Sequence, residues 1–173
     1  MKNKIINFLI LLLIILVTIF LFSACQKQKK TERIEPLVDS YLEMWNTGNL
    51  IAIDSIVTQN FELRIVPSFK PITGIDSLRN LILNTRKMFP DFIIQIEQQI
   101  FMGDTSVISV WTIEGTYAGE YNLPIEAKKM SVPGFSVLFF SGDKITGQWI
   151  AYSDLTLMKQ LGFTLVPPQG SKK

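Results

Sequence analysis

At 173 residues the chain has room for one domain with an appendage, and for a sizeable core. It has no His and a single Cys, which excludes His/Cys zinc sites, a Ser-His-Asp triad and any disulfide within one chain. The net charge of +2 is scattered apart from Lys27, Lys29, Lys30 and Arg33, so there is no basic stripe of the kind that binds nucleic acid.

The chain opens on a short basic stretch, Met1-Lys2-Asn3-Lys4, followed by an almost wholly apolar run from Ile5 to Phe22. At roughly 18 residues this run is at the short edge of a membrane span. Ser23-Ala24-Cys25 comes next. Small residues before a Cys at the end of such a run resemble a bacterial lipoprotein signal, whose Cys is lipidated and becomes the mature N-terminus. The usual Leu three positions before the Cys is Phe22, with Leu21 one further out. The alternative is an uncleaved signal-anchor helix with an incidental Cys. Either places the domain on the extracytoplasmic side of a membrane, in the cell envelope. The organisation expected is a signal peptide over 1–24, lipidated Cys25 with a tether over 25–33, a domain over 34–165 and a frayed tail over 166–173.

Ile34, Leu37, Val38, Tyr41, Leu42 and Trp45 share one helical face, and Gly48 is placed to stop that helix. A short second helix over Leu50 to Val57 groups Ile53, Ile56 and Val57. Phe61 to Val66 reads as a strand and Pro67 to Thr73 as a loop. A third helix uses Ile75, Leu78, Leu81, Ile82 and Met88 until Pro90 ends it. From Phe92 the period changes to two, with Ile94, Ile96 and Gln98 on one face and Ile93, Gln95 and Glu97 on the other. Gly103-Asp104 turns the chain into a long strand, Val107 to Tyr117. Tyr121 to Ala127 reads as an exposed loop, and Lys128 to Ser131 begins the next strand. Gly134 to Gly162 then supplies a hairpin turned at Ser141-Gly142-Asp143-Lys144, and a helix opening at Asp154. Helices first and an antiparallel meander after them define an α+β fold.

Gly134, Ser136, Lys144, Ile145, Trp149, Asp154, Leu155, Leu157, Gln160, Leu161 and Gly162 together resemble the SnoaL-like polyketide or ester cyclase family. Earlier landmarks appear in family order, among them Trp45 to Asn49, Phe89-Pro90-Asp91, Trp111-Thr112, Gly115-Thr116 and Lys128-Lys129. The resemblance spans nearly all of Pro36 to Phe163. It implies the cone of the nuclear transport factor 2-like superfamily: helices packed on a strongly curved, mainly antiparallel sheet around an internal cavity. It also implies, by analogy, a homodimer through the open sheet face.

Asp154 matches the family's catalytic aspartate, a general acid and base for ring closure. A carboxylate at a strand-to-helix junction is equally an ordinary helix cap. The family often places His or Arg around its cavity, and the corresponding positions hold Arg64, Val110, Tyr117 and Phe139. Arg64 is a candidate anion anchor and Tyr117 a hydrogen-bond donor. Tyr41, Trp111 and Tyr152 are candidate aromatic walls, and Trp45 reads as core. Period-two alternation puts Gln148, Ile150, Tyr152 and Asp154 on one face. Three functional readings compete. The first is a lipid-anchored domain binding a small apolar or polyketide-like molecule without metal, nucleotide or other cofactor. The second is a cyclase or isomerase using Asp154. The third is a non-catalytic accessory lipoprotein acting in an assembly.

Overall fold

The structure is a computed structural model that describes residues 11–15, 17, 33–68, 70–119 and 127–166. Cys25, most of the tether, the body of the loop before Ala127 and the Pro167-Pro168 tail lie outside the described residues. Leu11 to Ile15 are helical and exposed. Among the described residues no helix is long and apolar enough to cross a membrane.

Helix α1 spans 33–47 and buries Ile34, Val38, Tyr41, Met44 and Trp45, the stripe that its spacing dictates. Gly48 ends it with φ +76°, donating its N–H to the Met44 carbonyl at 2.9 Å. Helix α2 is a single turn, Ile53–Ile56, shorter than its sequence suggests because Val57 already belongs to strand β1, Val57–Val66. The segment before Gly74 is not all loop. Ile72–Thr73 forms a two-residue strand, β2, antiparallel to β1. Helix α3, Ile75–Met88, is followed by β3, Ile93–Met102, and β4, Ser106–Thr116. Strand β5 runs from Lys129 to Ser141 without interruption, and β6 covers Lys144–Tyr152. Helix α4 spans Asp154–Leu161.

Among the described residues six strands make one sheet in the order β2-β1-β6-β5-β4-β3. Every neighbouring pair is antiparallel except β1 and β6, which run parallel. Irregularities interrupt three of the ladders, between Val57 and Glu62, between Ile96 and Gln98, and between Phe139 and Phe140. Each extra residue bends its strand and increases local twist, so the sheet curves. Tyr41, Trp45, Leu78, Ile82 and Leu161 from the helices join Phe61, Leu63, Val132 and Leu138 from the strands in one core, which places the helices against the sheet's concave side. Arg86 of α3 fastens α1 in place by donating to the Asn46 carbonyl at 2.6 Å and the Phe92 carbonyl at 3.1 Å. This α+β cone is the expected fold.

The alternation on β3 differs from the expectation. On β3 the bulge after Ile96 resets the pattern, so Gln99 and Phe101 turn inward and Gln98 turns out. On β5 the inward set is Ser136, Leu138 and Phe140, while Phe135, Val137 and Phe139 face outward.

Candidate functional site

A cavity of about 260 Å³ lies between the concave face of the sheet and helices α1, α3 and α4. Its floor is a set of cross-strand rows fixed by register. Ile94 and Ile113 form one row. Ile96, Trp111 and Tyr152 form the next, with Gly134 between the last two. The third row is Gln99, Ser109, Ser136, Ile150 and Ile65. Gln148 and Leu138 pair with each other in a fourth. Val38, Tyr41, Leu42 and Trp45 of α1 and Leu81, Thr85 and Met88 of α3 close the cavity from above, and Leu157 of α4 joins them.

Among the described residues no Asp, Glu, Lys or Arg lines this space, and its ionisable groups are the phenols of Tyr41 and Tyr152. Burial pushes the Tyr41 phenol well above its ordinary value, opposed by the nearby Trp45 N–H. Its hydroxyl donates to Gln148 Oε1 at 2.8 Å, a buried contact between helix and sheet. The Trp45 N–H approaches the Tyr41 oxygen without closing a hydrogen bond, and it is buried without a partner. Trp111 Nε1 donates to Ser136 Oγ at 3.0 Å, and Gln99 Nε2 to Ser109 Oγ at 3.4 Å. Gly134 makes the Trp111 pose possible, since a Cβ there would stand 2.4 Å from the indole ring.

Of the residues singled out in the sequence, Tyr41, Trp111, Gln148 and Tyr152 line the cavity together. Arg64 does not. It is exposed on the outer face, paired with Glu62 and 6.0 Å from the Trp149 ring. Val110 is likewise outward, and Phe139 packs edge-on against Trp149 at 5.7 Å on that outer face. Strand alternation aims all three away from the cavity, so they do not stand for charges lost from its wall. Tyr117 is buried against Phe89 at 5.8 Å and is not among the cavity-lining residues. Gln99, Ser109 and Ser136 are wall residues that the sequence reading misses. Ser136 is within reach of it, from its place in the alternation, whereas Gln99 depends on the bulge.

Asp154 lies just beyond the end of β6, exposed, in the first turn of α4 and outside the lining. The N-cap is not Asp154 but Ser153, whose hydroxyl oxygen accepts from the Thr156 N–H at 3.2 Å. Asp154 nevertheless touches the cavity wall indirectly. Burial raises the Tyr152 phenol, and the Asp154 carboxylate beside it raises it further through its charge and a hydrogen bond. Among the described residues no group of three or more His, Cys, Asp or Glu could hold a metal ion.

A six-stranded curved sheet lining a largely apolar cavity beneath the helices is the arrangement of the nuclear transport factor 2-like class of folds. Residues 35–161 match the sequence profile of the SnoaL-like polyketide cyclases, and the chain belongs to that family. Among solved structures it resembles a proposed polyketide cyclase of Bacillus cereus ATCC 10987, at 28% identity over 78% of this chain and 84% of that one, with a TM-score of 0.64. A second such protein, from Acidithiobacillus ferrooxidans, is 21% identical over 75% and 94% of the two chains, with a TM-score of 0.65. A ketosteroid isomerase-like protein of Catenulispora acidiphila, solved with trimethylamine, is 18% identical over 77% and 98%, with a TM-score of 0.63. The last two speak to the fold alone. No curated protein sequence matches the chain significantly.

Proposed function

We propose that this protein binds a small, uncharged, largely apolar molecule in the cone and holds it at a membrane surface of the cell envelope. The observation that carries the binding reading is the cavity wall, which is apolar except for hydroxyls, amides and indoles and has no charged side chain among the described residues. An ion entering it would lose its hydration with no opposite charge to replace it, so a neutral ligand is favoured. The anchor is Cys25, the lone cysteine, directly after Ser23-Ala24 at the end of the apolar run. Lipidation there would tie the domain to the extracytoplasmic side. The outer sheet face, with Phe135 and Trp149 about half exposed, is proposed to meet a second copy of the chain.

Native mass spectrometry of the full chain, extracted from membranes, tests the binding reading. A neutral small molecule released on unfolding is the expected result, and a cavity that fills only with water or detergent would sink it. Metabolic labelling with a radioactive fatty acid tests the anchor. Label is expected in the wild type and not in Cys25→Ser, and equal label in both would refute it.

A second reading, cyclase or isomerase chemistry with Asp154 as acid and base, is favoured by one observation. The Tyr152 phenol lines the cavity and lies against the Asp154 carboxylate. Against it stands the exposure of Asp154, since the desolvation that makes a carboxylate a strong base towards a C–H proton is missing. Binding without turnover is therefore the primary reading. The non-catalytic role in an assembly would differ from it by an empty cavity.

A further inference from the structure

The polar groups of the cavity are not equivalent, and one of them is held ready for a ligand. Gln148 is 6% exposed and projects from β6 into the cavity. Its carboxamide is oriented from one side only, because Oε1 accepts the Tyr41 hydroxyl at 2.8 Å. That bond fixes which end of the amide faces which way. Among the described residues the Nε2 end closes no hydrogen bond. Among the described residues Trp45 Nε1 is the fully buried side-chain nitrogen or oxygen without a partner, so Gln148 Nε2 keeps some accessible surface, and on this inner face that surface belongs to the cavity. Tyr41 can donate only one proton and has spent it on Gln148, while the Trp45 N–H stands behind the same oxygen. Three groups thus stand in line from the helix to the sheet, and the line ends in two unused N–H donors.

We propose that Gln148 is the specificity-determining donor of the cavity: its Nε2 receives a carbonyl oxygen of a ketone or ester, with Tyr41 as the positioning residue. The inference rests on the reading of the cavity as a ligand site and narrows it to ligands with a neutral acceptor. A buried donor left unpaired costs more than a made hydrogen bond gains, so a hydrocarbon of the same shape is rejected relative to the ketone. A carboxylate would accept the same N–H but would bring a charge that nothing in the wall answers.

Fluorenone and fluorene differ by a carbonyl in place of a methylene and make a matched pair of rigid probes. Both are titrated against the full chain in lipid nanodiscs, with empty nanodiscs subtracted, and the bound ketone is followed by its infrared carbonyl band. The wild type should prefer fluorenone by roughly fivefold to tenfold, as one net hydrogen bond implies, with the carbonyl band shifted to lower frequency. Gln148→Met, close in size, should bind both probes equally and return the band to its apolar-solvent position. Tyr41→Phe frees the amide to rotate. It should broaden the band and weaken the preference without abolishing fluorene binding, which loss of folding would not do. Gln148→Asn should keep part of the preference. Binding of both probes with no preference in the wild type would overturn the donor assignment alone, as would a preference that survives Gln148→Met. If neither probe binds the wild type, the reading of the cavity falls, and this inference with it.

Discussion

The two faces of the sheet hold similar side chains to opposite ends. On the concave face, Leu138 and Phe140 are buried, and between rows of isoleucine lie Gln99, Ser109, Ser136 and Gln148. On the convex face, Phe135, Trp149, Val66 and Val110 stand exposed in adjacent strands, with Arg64 over the Trp149 ring. At the centre of the sheet, polar groups are therefore buried inside beside Trp111 and Tyr152, while Phe135 and Trp149 stand half exposed outside. The lesson is that hydrophobicity alone does not choose the inner face. The helices choose it, by covering one side, and the polar residues on that side are kept because each finds a partner or faces the cavity.

The comparison can be broken most sharply on β5. Leu138→Ala removes a buried inner side chain and is expected to cost about 3 kcal/mol, whereas Phe135→Ala outside should change monomer stability by no more than about 0.5 kcal/mol. Denaturant midpoints measure both. Phe135→Ala and Trp149→Ala should instead lower self-association in light scattering, and equal losses of stability on the two faces would show that the outer one is already core. Next in size is Gly134→Ala. Its Cβ would press on the Trp111 ring at 2.4 Å and on the Ala151 carbonyl oxygen at 2.8 Å, a cost of about 2 kcal/mol. A near-ultraviolet tryptophan signal left unchanged by this substitution would mean that Trp111 is not pinned there.

Buried Tyr41 and partly buried Tyr152 make stability depend on pH. Tyr41 and Tyr152 both ionise later in the folded state than their ordinary value of 10.0. Above about pH 10 the unfolded chain therefore binds fewer protons than the folded one at these sites, and stability falls as pH rises, by up to about 1.4 kcal/mol per pH unit for buried Tyr41 and by less for the partly exposed Tyr152, where solvent screens the effect. Below that pH both contributions are fully present. Tyr41→Phe should flatten this alkaline loss in a pH series of thermal midpoints, and a series that stays parallel to the wild type would refute the assignment. The smallest effect belongs to α4. Ser153→Ala should cost about 1 kcal/mol as the loss of the cap, while Asp154→Asn leaves the fold alone. A pH-dependent change of ligand affinity in Asp154→Asn would revive the acid-base reading.

Much of the fold is legible in the residues themselves. The α1 stripe, the Gly48 stop and the hairpin at Gly142 each follow from local rules of period and backbone freedom, and the family landmarks order the rest. Gln148 and Tyr152 share a face by simple alternation because β6 is regular where they sit. Gln99 escapes that rule, because a bulge is a one-residue event that inverts everything after it, and Ile96-Glu97-Gln98 carries no glycine to announce it. Arg64, Val110 and Phe139 are assigned to the wall by the family resemblance, which aligns positions along the chain but does not say which way each strand residue faces here. Ser153 is hidden as the cap by its acidic neighbour, since both residue types cap equally well.

The parallel pairing of β1 with β6 has a consequence for how the protein is made. Thr58 meets Ile145 across 87 positions of sequence, so the first long strand waits for the last. A nascent chain that stops short of Lys144 holds β1 with only the two-residue β2 beside it and leaves an edge of β5 bare. Such edges invite pairing with other chains, and contacts this distant form slowly. The early helices thus have no finished chamber to roof, and the cavity comes into existence only after the ribosome has produced its final strand.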